Sequence, residues 1–258
     1  MDVSLNNKVA VITGGSRGIG EAIAEIFAQS GATVVLVSRK PENLVATAKR
    51  INESVGVKRV GWVAANVSDP MGLEQVISYC KSEYGFAHIL VNGAAANPYY
   101  GSTVDIERSA VRKILEVNLE AVQMWTSGFW SAYWKDSTEH ATCINIASIG
   151  GMIVEEGIGF YNVSKAGLIH LTRQLANELA PRVRVNSISP GLVRTEFARA
   201  LWENWGDHLA NSLPLGRIGE PSDISKVALF LACDLSGWMT GTNIVVDGGA
   251  LVRSTSFS

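Results

Sequence analysis

The chain has 258 residues, 47% hydrophobic and 18% charged, with a net charge of −2 and a sequence pI near 6.1. That balance excludes a disordered chain, and no Lys/Arg block stands out to hold nucleic acid or an anionic membrane surface. Cys80, Cys143 and Cys233 are few, odd in number and far apart. They indicate neither a disulfide framework nor a metal cluster, and free thiols fit a reducing cytoplasm.

No apolar run approaches the roughly 20 residues needed to span a bilayer, so no membrane partner is expected. Met1 to Lys8 is short and polar and lacks the regions of a signal peptide, and the C-terminal Ser256-Phe257-Ser258 carries no lipidation or retrieval signal.

In chain order, Lys8–Thr13 is a β-branched run that stops at a glycine turn. Gly18–Ser30 reads as a helix, with Ile19, Ile23, Ile26 and Phe27 near helical spacing and Gly31 as its stop. Thr33–Ser38 is a second strand, and Glu42–Glu53 a helix with Pro41 at its start. Arg59–Ala65 and His88–Asn92 read as strands on either side of a helix over Pro70–Tyr84. Glu107–Trp130 reads as one long helical stretch, followed by a strand over Ala141–Ala147. Trp125, Trp130 and Trp134, spaced by five and four, are expected to pack within that helix or at an interface. A helix over Gly159–Leu179, ended by Pro181, precedes a strand over Val183–Ile188; a helix over Ser222–Cys233 precedes the last strand, Asn243–Val246.

Apolar strands alternating with helices predict an α/β fold: one doubly wound (Rossmann) domain over residues 1–258, with a seven-stranded parallel sheet covered by helices on both faces. The irregular stretch Pro190–Glu220, with Trp202 and Trp205 beside charged residues, is expected to be a substrate lid.

The loop Thr13-Gly-Gly-Ser-Arg-Gly-Ile-Gly20 lies directly between the first strand and the first helix. Glycines at 14, 18 and 20 let the backbone turn tightly and let a pyrophosphate approach the helix N-terminus, where unpaired N–H groups favour anions. At the end of the second strand, where an acid would bind the ribose 2′-hydroxyl of NAD, the chain has Ser38 and Arg39, and Arg17 lies in the glycine loop. Two guanidinium groups suit a 2′-phosphate, and so NADPH/NADP rather than NAD. Tyr161 and Lys165 share a helix face at i and i+4, and a cation there is expected to lower the phenol's pKa from about 10. Ser148 ends the fifth strand, where doubly wound sheets place ligands.

Together these motifs resemble the short-chain dehydrogenase/reductase family, whose opening motif is Thr-Gly-x3-Gly-x-Gly. The resemblance implies a catalytic set of Asn118, Ser148, Tyr161 and Lys165, with Lys165 also bonding the nicotinamide ribose and Asn118 holding a water in a relay to Lys165. By the same resemblance, Gly14, Ser16, Arg17, Gly18, Ile19, Gly20, Ser38, Arg39, Asn66, Val67 and Asn92 form the cofactor side. Pro190, Gly191, Val193 and Thr195 in the Pro-Gly segment are implied to hold the carboxamide. Two motifs depart from the family's usual ones. Asn92-Gly93-Ala94-Ala95 stands in place of Asn-Asn-Ala-Gly, which questions the local support of the fourth strand, and Asn66 replaces an Asp.

Asn97-Pro-Tyr-Tyr-Gly101 and the segment from Pro190 to Phe197 look like the NADPH-dependent carbonyl/retinal reductases, and bacterial 3-oxoacyl-carrier-protein reductases share much of the frame. The expected function is reduction of a ketone or aldehyde to an alcohol, with Tyr161 as acid/base. The alternatives are a 3-oxoacyl-carrier-protein reductase, docking through Arg108, Arg112 and Lys113, and a non-catalytic NADP-binding regulator. Tyr99, Tyr100, Met152 and Trp202 suggest a small hydrophobic substrate. Family membership implies a homo-oligomer, most often a tetramer or dimer.

Overall fold

The structure is a computed structural model that describes residues 3–252, apart from the side chains of Ala200, Trp205 and Asp207. The C-terminal tripeptide, the first two residues and the Trp205 side chain therefore lie outside the described residues.

Seven strands form one parallel sheet: β1 (Val9–Thr13), β2 (Thr33–Ser38), β3 (Val60–Ala64), β4 (Ile89–Asn92), β5 (Ala141–Ile146), β6 (Val183–Pro190) and β7 (Asn243–Val246). Their spatial order is β3-β2-β1-β4-β5-β6-β7. The chain reverses direction across the sheet between β1 and β4, which opens a crevice at the carboxyl ends of those strands.

The helices are α1 (Gly18–Gln29), α2 (Pro41–Val55), α3 (Pro70–Tyr84), α4 (Arg108–Leu115), α5 (Ala121–Phe129), α6 (Gly159–Leu179), α7 (Arg199–Ser212) and α8 (Pro221–Ala232). Proline opens α2, α3 and α8, where its missing N–H would have had no helical partner. Asp69 caps α3 by accepting from Met71 N at 3.0 Å.

Successive strand residues point to opposite faces, so each sheet face carries its own apolar layer. Ile12, Ile144 and Ile188 meet Ile23 and Phe27 of α1, Leu44 of α2 and Leu231 of α8 on one side. Val11, Leu90, Cys143 and Val185 meet Val76 of α3, Trp125 and Phe129 of α5, and Leu175 of α6 on the other. Among the described residues no helix is long and apolar enough to cross a membrane.

Two expectations need correction. The stretch read as a single helix over Glu107–Trp130 is α4 and α5 joined by a π turn at Glu116–Glu120, and a second π turn carries it on through Trp130–Trp134. The extension is held by Trp134, fully buried, whose Nε1 donates to Ala87 O at 2.8 Å. The stretch Pro190–Glu220, read as irregular, contains the 14-residue α7. Its charged residues and Gly206 obscured the helical spacing.

A polar ladder crosses the second layer. Asn92 Nδ2 donates to Asn145 Oδ1 and Asn145 Nδ2 to Thr172 Oγ1, both at 2.9 Å, tying β4, β5 and α6 together. These amides are buried, and Asn92 Nδ2 also lies 3.4 Å from Thr126 Oγ1, so losing one partner would leave only longer contacts in its place.

Trp134→Ala should lower stability by about 3–5 kcal/mol, because it opens a cavity and orphans the Ala87 carbonyl. Urea unfolding of wild type and variant measures this; a loss under about 1 kcal/mol would contradict the packing described.

Candidate active site

The crevice floor begins at the glycine loop. Gly14 and Gly18 have φ of 70° and 59°, which favour glycine. A Cβ on Gly20 would collide with the Gly14 carbonyl. Gly14 N donates to Val37 O at 2.9 Å, pinning the loop to β2. Ser16 is buried and donates through Oγ to Ser38 Oγ at 3.0 Å. Ile19 packs on the core beneath. The N-cap residue of α1, Arg17, is extended and makes no side-chain cap, which leaves the helix N-terminus open to an anion. The Arg17 and Arg39 guanidiniums are exposed and form no ion pair among the described residues.

Asn66 is exposed beyond β3, its Oδ1 accepting from Ser68 N at 3.3 Å. Val67 is buried, and its carbonyl accepts from Trp125 Nε1 at 2.9 Å.

Asn92 ends β4 at this edge of the sheet, and its side-chain amide belongs to the buried ladder. The segment after it is supported by Thr13 instead. Thr13 Oγ1 accepts from Gly93 N at 3.1 Å and Ala94 N at 3.3 Å. A Cβ on Gly93 would stand 2.7 Å from Thr13 O, so glycine at this departure from the family motif fits its surroundings.

Across the crevice, β6 ends at Pro190, and Gly191 N donates to Val246 O at 2.9 Å. Val193 is buried and forms a bridge with Gly219. Thr195 faces the glycine loop: its Cγ2 lies 3.2 Å from where a Cβ on Gly18 would sit. Trp202, in the segment expected to be a lid, is anchored. Its Nε1 donates to Thr195 O at 2.8 Å, and the Arg194 guanidinium sits 6.0 Å from its ring.

Ser148, Tyr161 and Lys165 come together. Ser148 follows β5, and its Oγ accepts from Gly150 N at 3.1 Å. Tyr161 lies in the first turn of α6, with Lys165 one turn later. Lys165 is 2% exposed; its Nζ donates to Ile146 O at 2.7 Å and stands 5.6 Å from the centre of the Tyr161 ring. The Phe197 ring lies 6.0 Å from that of Tyr161, so an apolar group flanks the phenol.

The electrostatics correct one expectation. Burial pushes the Tyr161 phenol up rather than down; a hydrogen bond with Ser148 opposes this, and the Glu155 carboxylate adds to it. Burial lowers the Lys165 ammonium to about 8. For Tyr161, its own loss of solvent outweighs what a cation one turn away would contribute.

Asn118, fully buried, sits within the π turn between α4 and α5, a local geometry frequent at functional sites. Its Nδ2 donates to Ala96 O and to Ser164 Oγ, both at 3.0 Å, and its Oδ1 accepts from Ala96 N at 2.8 Å. It thus joins the segment after β4 to the residue preceding Lys165.

Sequence reasoning missed Glu155 and Phe197 beside Tyr161 and the Ile146 carbonyl beside Lys165. An acid in the apolar run between Ser148 and Tyr161 was a readable signal for Glu155; a backbone carbonyl carries none.

A protein-family model described as enoyl-(acyl carrier protein) reductase matches residues 14–250. Dehydrogenase/reductase SDR family member 4 of Sus scrofa is 36% identical over 252 residues, covering 96% of this chain and 89% of its own length. The chain is a short-chain dehydrogenase/reductase. The 3-oxoacyl-[acyl-carrier-protein] reductase FabG of Aquifex aeolicus is 34% identical, with 96% and 99% of the two chains covered. Among solved structures, a short-chain type dehydrogenase/reductase from Mycobacterium marinum superposes with a TM-score of 0.91 at 31% identity, covering 98% of each chain. L-sorbose reductase from Gluconobacter frateurii, complexed with NADPH and L-sorbose, also gives 0.91, at 32% identity, covering 98% and 100%.

As a short-chain dehydrogenase/reductase, the protein is an oxidoreductase acting on CH–OH groups with a nicotinamide cofactor. The residues present fit that cofactor: an uncapped helix N-terminus, a glycine loop with no room for a Cβ at Gly20, and two unpaired guanidiniums.

Burial of Lys165 makes a signed prediction. Its pKa falls from 10.5 unfolded to about 8 folded, so the penalty for burying its charge is full below pH 8 and fades as pH rises to 10.5. Wild type should therefore gain stability relative to Lys165→Met between those pH values, by on the order of 3 kcal/mol. Urea midpoints of both proteins at pH 7 and 10 report it; a pH-independent difference would contradict it.

Proposed function

We propose that the protein is an NADPH-dependent reductase of ketones or aldehydes, working on small, predominantly apolar substrates within one domain over residues 1–258. The observation that carries this reading is the convergence of Tyr161, Ser148 and Lys165 at the carboxyl edge of the sheet, opposite an unpaired Arg17 and Arg39.

NADPH, when bound, supplies the hydride. Arg17 and Arg39 would hold its 2′-phosphate by charge-assisted bonds, and the open N-terminus of α1 its pyrophosphate. Ser148 Oγ would hold the substrate oxygen, and Tyr161 would give that oxygen its proton. The upward push on the phenol keeps Tyr161 protonated at neutral pH, as a donor must be. Lys165, fixed to Ile146 O, would hold the nicotinamide ribose. Phe197, Tyr100 and Met152, each at least half exposed, would form an apolar mouth, with α7 as the lid. Free, buried Cys80, Cys143 and Cys233 favour a reducing cytoplasm. A homotetramer or dimer rests on family habit.

The similarity to a 3-oxoacyl-carrier-protein reductase supports a second reading. Arg108 and Arg112 are exposed on α4 as an acidic carrier would require, whereas Lys113 is occupied by Glu116 at 3.1 Å.

Two measurements test the leading reading. Tyr161→Phe should fold normally and lose reductase activity by about two orders of magnitude or more across a ketone panel; unchanged turnover would refute the mechanism. Arg39→Ala should raise the KM for NADPH by about tenfold and leave NADH use unchanged. Equal effects on both cofactors would remove the 2′-phosphate assignment.

A further inference from the structure

Between Ser148 and Tyr161 lies an acid for which the mechanism above has no use. Glu155 is half-buried in the apolar run from Gly151 to Gly157. With the Asn162 amide oriented by its hydrogen bonds, Asn162 Nδ2 donates to Glu155 Oε2 and Asn162 Oδ1 accepts from Glu155 N, each at 3.2 Å. Asn162 is buried and follows Tyr161 directly. A Cβ on Gly150 would collide with both the Glu155 carboxylate and the Asn162 amide. Gly150 in turn donates its N–H to Ser148 Oγ at 3.1 Å. One carboxylate therefore touches the turn that carries Ser148 and the turn that carries Tyr161.

We propose that Glu155 is a positioning residue for Tyr161: clamped to Asn162 and packed on Gly150, it fixes the donor against Ser148 and keeps a negative charge beside the phenol. The inference rests on Tyr161 being the proton donor. The groups facing the phenol are Ser148 from the end of β5, Lys165 from α6, Phe197 from the segment before α7, and Glu155 itself. Against Glu155 lie Gly150 and Asn162, and among the described residues no cation pairs with it. Its charge is thus uncompensated locally. An anion near a phenol disfavours the phenolate, and the burial of Tyr161 limits screening by water. The consequence lies in pH dependence: the phenol holds its proton to higher pH, so acceptance of a proton from an alcohol requires a more alkaline medium.

The test uses the full chain with saturating NADP+, labelled with carbon-13 at tyrosine Cζ, the Tyr161 signal being assigned with Tyr161→Phe. Glu155→Gln keeps an acceptor for Asn162 and removes the charge. Its Tyr161 should ionise at lower pH than in wild type, by about half a unit or more. The alkaline limb of alcohol oxidation should move in the same direction. Asn162→Ala releases the clamp and leaves the acid; it should lose about three- to tenfold in kcat with little change in KM. Coincident ionisation of Tyr161 in wild type and Glu155→Gln overturns the proposal. If Glu155→Gln does not fold, an undiminished kcat in Asn162→Ala overturns it. Absence of turnover in wild type would count against the reductase reading, while the Tyr161 signal still reports on Glu155.

Discussion

Lys165 carries its ammonium into the protein at 2% exposure and donates there to the Ile146 carbonyl at 2.7 Å. Ile146 ends β5 and Ser148 lies two residues on, so this bond joins the strand that presents the serine to the helix that presents the tyrosine. Removing the lysine's solvent stabilises its neutral form, which is why its pKa falls to about 8. The arrangement is costly in stability terms, and it persists because the ladder Asn92–Asn145–Thr172 and the Asn118 bridge hold β4, β5 and α6 in one register around it.

The parallel order explains why the site lies where it does. Reversal between β1 and β4 leaves the carboxyl ends of those strands uncovered, and the glycine loop and the segment after β4 line the gap. Thr13 sits at the junction, supporting Gly93 and Ala94 from the strand on the other side of the gap. Thr195 reaches toward Gly18 from β6, so the loops that would enclose a cofactor are already close.

Much of this was legible in the chain. Buried parallel strands read as apolar runs, and each of the seven was found within a few residues. The glycine loop and the Tyr161–Lys165 spacing were legible because backbone geometry and helical period leave marks in residue type. What was not legible depended on distance in space. The inward turn of Asn92 needs Asn145, 53 residues later. The π turn at Asn118 is stabilised by Ala96 and Ser164, neither of which is local. The sign of the Tyr161 shift depends on burial that no spacing encodes. Helix α7 was read as irregular because charged residues and Gly206 interrupt its apolar positions, and the bond that ties Trp202 to Thr195 O leaves no mark in the sequence.

Catalysis in this site requires hydride delivery at the point where Ser148 and Tyr161 meet. The most direct measurement supplies NADPH deuterated on one face of nicotinamide C4, together with a ketone the enzyme turns over, and locates the label by mass spectrometry and NMR. With one of the two labelled faces, a single deuterium should appear on the carbinol carbon of the alcohol, while the hydroxyl proton comes from solvent. An alcohol free of deuterium with both labelled faces, or label lost to water, would contradict it.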